Sequence, residues 1–130
     1  MILIDTHVVV WLASDEQRFS PKARKAIDDA RQKGGGLAIS DITLLELAML
    51  SSKGRIHLNI SLESFLTEVE TRFTVLPITS RACVRAMTLP STYPSDPADR
   101  IIGATALAEG LSLVTADSAI RRSKVFPTIW

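Results

Sequence analysis

Met1-Ile-Leu-Ile-Asp5-Thr-His-Val-Val-Val-Trp-Leu12 opens the chain, and the reading of its first five residues decides the fold. Ile2, Leu3 and Ile4 form an apolar run without alternation, the pattern of a strand covered on both faces, as in a parallel sheet. The run stops on a carboxylate. Burying a carboxylate is costly unless it is paired, hydrogen-bonded or bound to a metal. Asp5 therefore belongs at the strand's carboxyl mouth, where open α/β sheets bind their ligands.

Downstream, apolar runs and amphipathic stretches alternate. Thr6 to Ala13 reads as a short apolar helix. Ser20-Pro21 is a helix start, a hydroxyl N-cap followed by proline at the first helical position, and that helix stops at Gly34-Gly35-Gly36. Leu37 to Ile39 is a second strand. Ser40 or Asp41 opens a helix ending near Lys53-Gly54, and Ser61 opens another, with Leu62, Phe65, Leu66 and Val69 at helical spacing. Phe73 to Ile78 is a third strand, placed at an edge or strand end by Pro77. Thr79 to Leu89 is helical, with Ala82, Cys83, Ala86 and Leu89 along one face. Ala98 to Glu109 is a helix closed by Gly110, Leu111 to Thr115 is a fourth strand, and Val125 to Trp130 offers a last edge strand. Strands alternating with helices imply a three-layer α/β/α domain with a central parallel sheet, spanning residues 1–130.

Composition narrows the function classes. Hydrophobic residues make up 46% of the 130, enough for a core and too many for a disordered chain. The N-terminus lacks a basic leader, and Val8 to Ala13 is far too short to span a bilayer. The single cysteine, Cys83, fits a reducing cytoplasm and reads as core filler. Fifteen Lys/Arg nearly balance fourteen Asp/Glu. If Asp5, Glu46, Asp96, Asp99 and Asp117 share one pocket, nine acids remain against those fifteen bases. Such an acidic pocket in a basic surface suits a metal-dependent enzyme acting on a polyanion.

Each acid also has a structural reading. Thr43-Leu-Leu-Glu46 matches a capping box, yet Glu46 is flanked by Leu44, Leu45, Leu47 and Ala48, which makes a merely structural carboxylate unusual. Asp96-Pro97-Ala98-Asp99 has the form of a helix start, with Asp96 as N-cap and Asp99 complementing the helix dipole. That accounts for Asp96 but not for Asp99, which is followed by the small apolar turn Ile101-Ile-Gly-Ala-Thr-Ala106. Asp117 ends the buried-type strand and also suits a cap for Ser118 to Arg122. The weight lies in the set: two strands end in acids, and two helices carry acids in or near their first turns. Carboxylates about 5 Å apart repel by roughly 3 kcal/mol at an effective dielectric of about 20. Three or four together need protons or a cation, and oxygen ligands favour Mg²⁺ or Mn²⁺ over zinc. Thr115 is a candidate to orient water at such an ion, His7 to pack or hydrogen-bond near the first helix, and Arg100 to form an ion pair in preference to contacting phosphate. No Gly-rich phosphate loop or nucleophile elbow is present.

Taken together, Ile-Asp5-Thr-His-Val, Ile-Thr-Leu-Leu-Glu46-Leu-Ala, Asp96-Pro-Ala-Asp99-Arg-Ile-Ile-Gly-Ala-Thr-Ala106 and Leu-Val-Thr115-Ala-Asp117 resemble the PIN domain, especially the VapC toxins of VapBC toxin–antitoxin modules. The resemblance covers essentially the whole chain. It implies a Mg²⁺- or Mn²⁺-dependent endoribonuclease, a homodimer held in check by a VapB antitoxin. Its acidic quartet would be Asp5, Glu46, Asp99 and Asp117, with Asp5, Asp99 and Asp117 on the metal and Asp96 and Thr115 auxiliary. The competing reading is a non-catalytic binding module whose acids are caps and surface ion pairs.

Overall fold

A computed structural model describes every residue from Met1 to Trp130. Five strands, β1 (Ile2–Ile4), β2 (Leu37–Ser40), β3 (Thr74–Leu76), β4 (Leu113–Val114) and β5 (Thr128–Ile129), form one sheet in the order β3-β2-β1-β4-β5. All four pairings are parallel. The helices are α1 (Thr6–Ser14), α2 (Pro21–Gln32), α3 (Asp41–Ser52), α4 (Leu62–Arg72), α5 (Ser80–Thr88), α6 (Pro97–Glu109) and α7 (Ser118–Ser123). A short 3₁₀ turn, Glu16–Arg18, links α1 to α2. No helix is long and apolar enough to cross a membrane.

Alternating side chains of the central strands feed two separate cores. Ile4, Ile39 and Val114 pack with Val8, Val9, Ala23, Ile27, Leu47 and Val69 on one face. Leu3, Ala38 and Leu113 pack with Leu89, Ile102, Ala106 and Ile120 on the other. Both faces are thus covered, which is why the strand sequences carry no polar alternation. Pro77 lies just beyond β3, the edge strand, where its missing N–H costs no ladder bond.

α5 and α6 meet through Ala82, Ala86 and Ala104. Gly103 lies against the ring of Tyr93, and a methyl group there would overlap the Tyr93 hydroxyl. Two expectations need correcting. Cys83 is exposed rather than core filler, because the buried face of α5 is the stripe Ala82–Ala86 and the next position turns outward. Arg100 forms no ion pair: its guanidinium donates to the carbonyls of Ala86 and Leu89, 3.1 and 3.5 Å away, tying α6 to the end of α5.

The strand order reverses direction between β1 and β4. In doubly wound sheets a crevice opens at that point beyond the carboxyl ends of the strands. Asp5 follows β1 and Asp117 follows β4, so the two flank the crevice.

Candidate active site

Three helix N-termini and one helix face line the crevice. Asp5 caps α1, its carboxylate accepting the Thr6 N–H at 2.9 Å. Asp96 caps α6 and accepts the Asp99 N–H at 3.1 Å. Asp117 caps α7, with one oxygen accepting the N–H groups of Ala119 and Ile120. These caps satisfy orphan donors and set the carboxylates at the positive ends of helix dipoles. Glu46 comes from the middle of α3. The helix begins at Asp41 with Ser40 as its cap, so Thr43 and Glu46 do not form a capping box.

Hydroxyl groups hold the acids in place. Thr6 donates to Glu46 Oε1 and lies 3.0 Å from the Thr43 hydroxyl. With its proton spent on Glu46, Thr6 must accept from Thr43. Thr115 donates to Asp5 Oδ2 at 2.8 Å and accepts the Asp117 N–H at 3.1 Å, linking the two strand-end acids through one buried oxygen. His7 Nε2 accepts the Ala116 N–H at 2.9 Å. The ring hydrogen then sits on Nδ1, 3.6 Å from Asp5 Oδ2.

Asp99 differs from these. Its backbone carbonyl accepts the Tyr93 hydroxyl at 2.9 Å, but its half-buried carboxylate has no donor within the protein. Burial, and behind it the charges of Asp5, Asp96, Glu46 and Asp117, push the Asp99 carboxyl up to about 7. Glu46 is also raised, chiefly by burial and further by Asp5 and Asp96, against the opposing Thr6 hydrogen bond. The Tyr93 phenol is held well above its usual range by burial and by Asp5, Asp99 and Asp117.

The other four predicted acids are therefore all near enough to act on Asp99. His7 is the one basic side chain within ion-pair reach of any of them. No three His, Cys, Asp or Glu side chains stand close enough together, as placed, to hold a metal ion. The donor set fits a hard divalent cation: all oxygen, anionic, and under-compensated without one. Sequence reading missed Thr6, Thr43 and Tyr93. Thr43 could have been found, because three residues before Glu46 puts it on the same helical face. Nothing local marks Thr6 or Tyr93, whose partners lie across the fold.

The PIN domain model matches residues 2–125. The chain belongs to the PIN-domain family. This PIN domain is 39% identical over 120 residues to Ribonuclease VapC22 of Mycobacterium tuberculosis (strain ATCC 25618 / H37Rv), covering 92% of this chain and 89% of that one. Its fold is similar to a chain of VapBC2 from Rickettsia felis bound to a promoter DNA fragment, with TM-score 0.73, 19% identity, and 98% and 97% of the two chains covered. It is also similar to a chain of DNA-bound VapBC from Salmonella typhimurium, with TM-score 0.71, 22% identity, and the same coverage.

Proposed function

We propose that this PIN domain is a Mg²⁺- or Mn²⁺-dependent endoribonuclease, the toxin of a VapBC-type pair. Its work would be done in the cytoplasm as a homodimer, with a VapB-type antitoxin as its controlling partner. The observation that carries the reading is Asp99: a half-buried carboxylate without a protein donor, raised to about 7 by burial and four neighbouring acids. The kinship with Ribonuclease VapC22 supports the choice of RNA, and the likeness to chains from VapBC complexes agrees with the partner. Val84 and Met87, apolar and 65% and 77% exposed on α5, suit a self-contact.

In this reading Asp5, Asp99 and Asp117 would hold the ion. When bound, the ion supplies charge neutralisation at the phosphate and makes a nearby water more acidic. Glu46 accepts a proton from, or orients, the attacking water. Burial raises its proton affinity, which favours its taking a proton. Thr6, backed by Thr43, fixes the Glu46 rotamer. Thr115 keeps Asp5 and Asp117 in register. Asp96 stays on the helix cap and contributes charge from outside. The attack displaces a ribose 3′-oxygen from the scissile phosphate.

The binding-module alternative gains something from the caps, since Asp5, Asp96 and Asp117 each close a helix. Helix capping does not account for Glu46 or for the carboxylate of Asp99. One experiment separates the two readings: incubation of pure protein with total RNA in Mg²⁺ or Mn²⁺, with and without EDTA, beside Asp5→Asn and Asp99→Asn. Metal-dependent cleavage by the native chain alone supports the nuclease. Equal cleavage by the variants would remove the site assignment, and no cleavage by any of them would leave the module.

A further inference from the structure

The acids would hold an ion at the scissile phosphate but, being anionic themselves, offer nothing to hold the rest of an RNA strand. Three adjoining hollows outside them supply that function. Glu46 lines a cleft of 230 Å³ with Lys53 and Arg55. Arg55 also lines a groove of 710 Å³ between the end of α1 and the loop from α3 to α4, together with Trp11, Arg18 and His57. Trp11 in turn walls a cleft of 240 Å³ with His7 and Asp117. The groove therefore meets the acidic site at both flanks, at Glu46 through Arg55 and at Asp117 through Trp11. Its volume lies toward the top of the roughly 300–1,000 Å³ range of ligand sites.

The chemistry along the groove is that of a single-strand track. Residues Lys53 to Ser61 contain three basic side chains and no acid. Lys53 and Arg55 are exposed and have no carboxylate partner. The acids facing the groove are Asp15, which pairs with Arg18 at 3.5 Å, and Glu68 on the far wall. The loop's start is fixed, not loose. Gly54 has φ +69 and donates to the Ser51 carbonyl, while the Arg55 N–H reaches back to Leu50 at 2.9 Å. This Schellman turn needs a residue tolerant of the left-handed region, and it sets Lys53 and Arg55 on either side of the glycine. Trp11 is half-buried, with the Arg18 guanidinium 4.9 Å over its ring and Trp130 behind it at 5.5 Å. An anchored indole beside free cations is the combination used to hold unpaired nucleotides, one component for bases and the other for phosphates.

We propose that this groove and the adjoining Glu46 cleft grip single-stranded RNA next to the cleavage site, with Lys53 in the cleft and Arg55 between the two on backbone phosphates and Trp11 against a base. The inference rests on the ribonuclease reading above and adds the residues that hold the substrate.

The test is equilibrium binding of a fluorescently labelled single-stranded oligoribonucleotide by the full chain in EDTA, where cleavage is silent, across a salt series. Lys53→Ala/Arg55→Ala should weaken binding about tenfold and flatten the slope of log affinity against log salt by about 1.4, from roughly 0.7 per phosphate contact on a single strand. Lys22→Ala, an exposed cation outside all three hollows, should change neither. In Trp130→Phe, which leaves Trp11 as the sole tryptophan, RNA should quench the emission. Native-like affinity and slope in the double variant, with RNA still bound and cleaved by the parent, would overturn the groove assignment and leave the ribonuclease standing. A double variant that keeps RNA but loses an antitoxin polypeptide would also overturn it, giving the groove to protein instead. A parent that neither binds nor cuts RNA would overturn both readings. Lys22, Lys53 and Arg55 are exposed while Trp130 is half-buried against the core, and a far-ultraviolet circular dichroism spectrum matching the parent's shows that each variant folds.

Discussion

In the proposed reading the chemistry turns on Asp99, and its own titration is a handle on it. Its folded-state carboxyl, at about 7, lies above the ordinary value near 3.8. Between those limits the native chain binds more protons than the unfolded one, so this group lowers stability as pH rises from about 4 to 7. Without metal, Asp99→Asn should be more stable than the parent at pH 7.5 by about 1 kcal/mol, a figure reduced for its partial exposure. The difference should vanish near pH 4. Urea unfolding at both pH values in EDTA checks this, and a variant less stable at pH 7.5 would contradict it. Thr115 makes a second residue-scale case. Thr115→Val removes the oxygen joining Asp5 to Asp117, and losses of about 10–100-fold in metal affinity are usual for such supporting contacts. A Mn²⁺ titration should find a loss in that range with the fold preserved; unchanged affinity would make Thr115 an ordinary strand residue.

At the scale of elements, α6 does two jobs through its small residues. Ala104 lets α5 approach, and Gly103 accepts the ring of Tyr93, whose hydroxyl ties down the Asp99 carbonyl. Gly103→Ala should cost about 1–3 kcal/mol by overpacking. It should also lower cleavage more than stability alone explains, because the Asp99 turn moves with Tyr93. Denaturant midpoints beside rates measured well below the melting temperature would separate the two effects.

The helices and strands themselves were legible because their signals are local. The unbroken apolar run before Asp5, Ser20-Pro21, and Asp96-Pro97 each mark an element within a few residues. Asp5, Asp96 and Asp117 stood out because they border such elements, and Glu46 because it interrupts an apolar helix. Cys83 was misread because it adjoins the alanine stripe of α5 in sequence while facing away from it in space. Arg100 was misread because its acceptors are backbone carbonyls, which no side-chain pattern announces. Thr6 reaches Glu46 across 40 positions of chain, a pairing that only the topology creates.

For the whole molecule, the parallel order β3-β2-β1-β4-β5 puts two strand-end acids at the point where the sheet reverses, and the caps of α1, α6 and α7 then aim at one space. With its acids concentrated there, the rest of the surface is left with an excess of bases, which favours a polyanionic substrate. An ion bound only by the folded state stabilises it by mass action, about 2.7 kcal/mol at a hundredfold excess over Kd. Thermal unfolding should therefore shift upward with Mg²⁺ or Mn²⁺, and far less in Asp99→Asn. Most direct is calorimetric titration of Mn²⁺ into the native chain at pH 7.5 and pH 5.5, beside Asp99→Asn. The account predicts binding at pH 7.5 that weakens at least tenfold at pH 5.5, as protons compete for Asp99, and is largely lost in the variant. Mn²⁺ binding that is equally tight in all three measurements, or absent from the native chain, would contradict it.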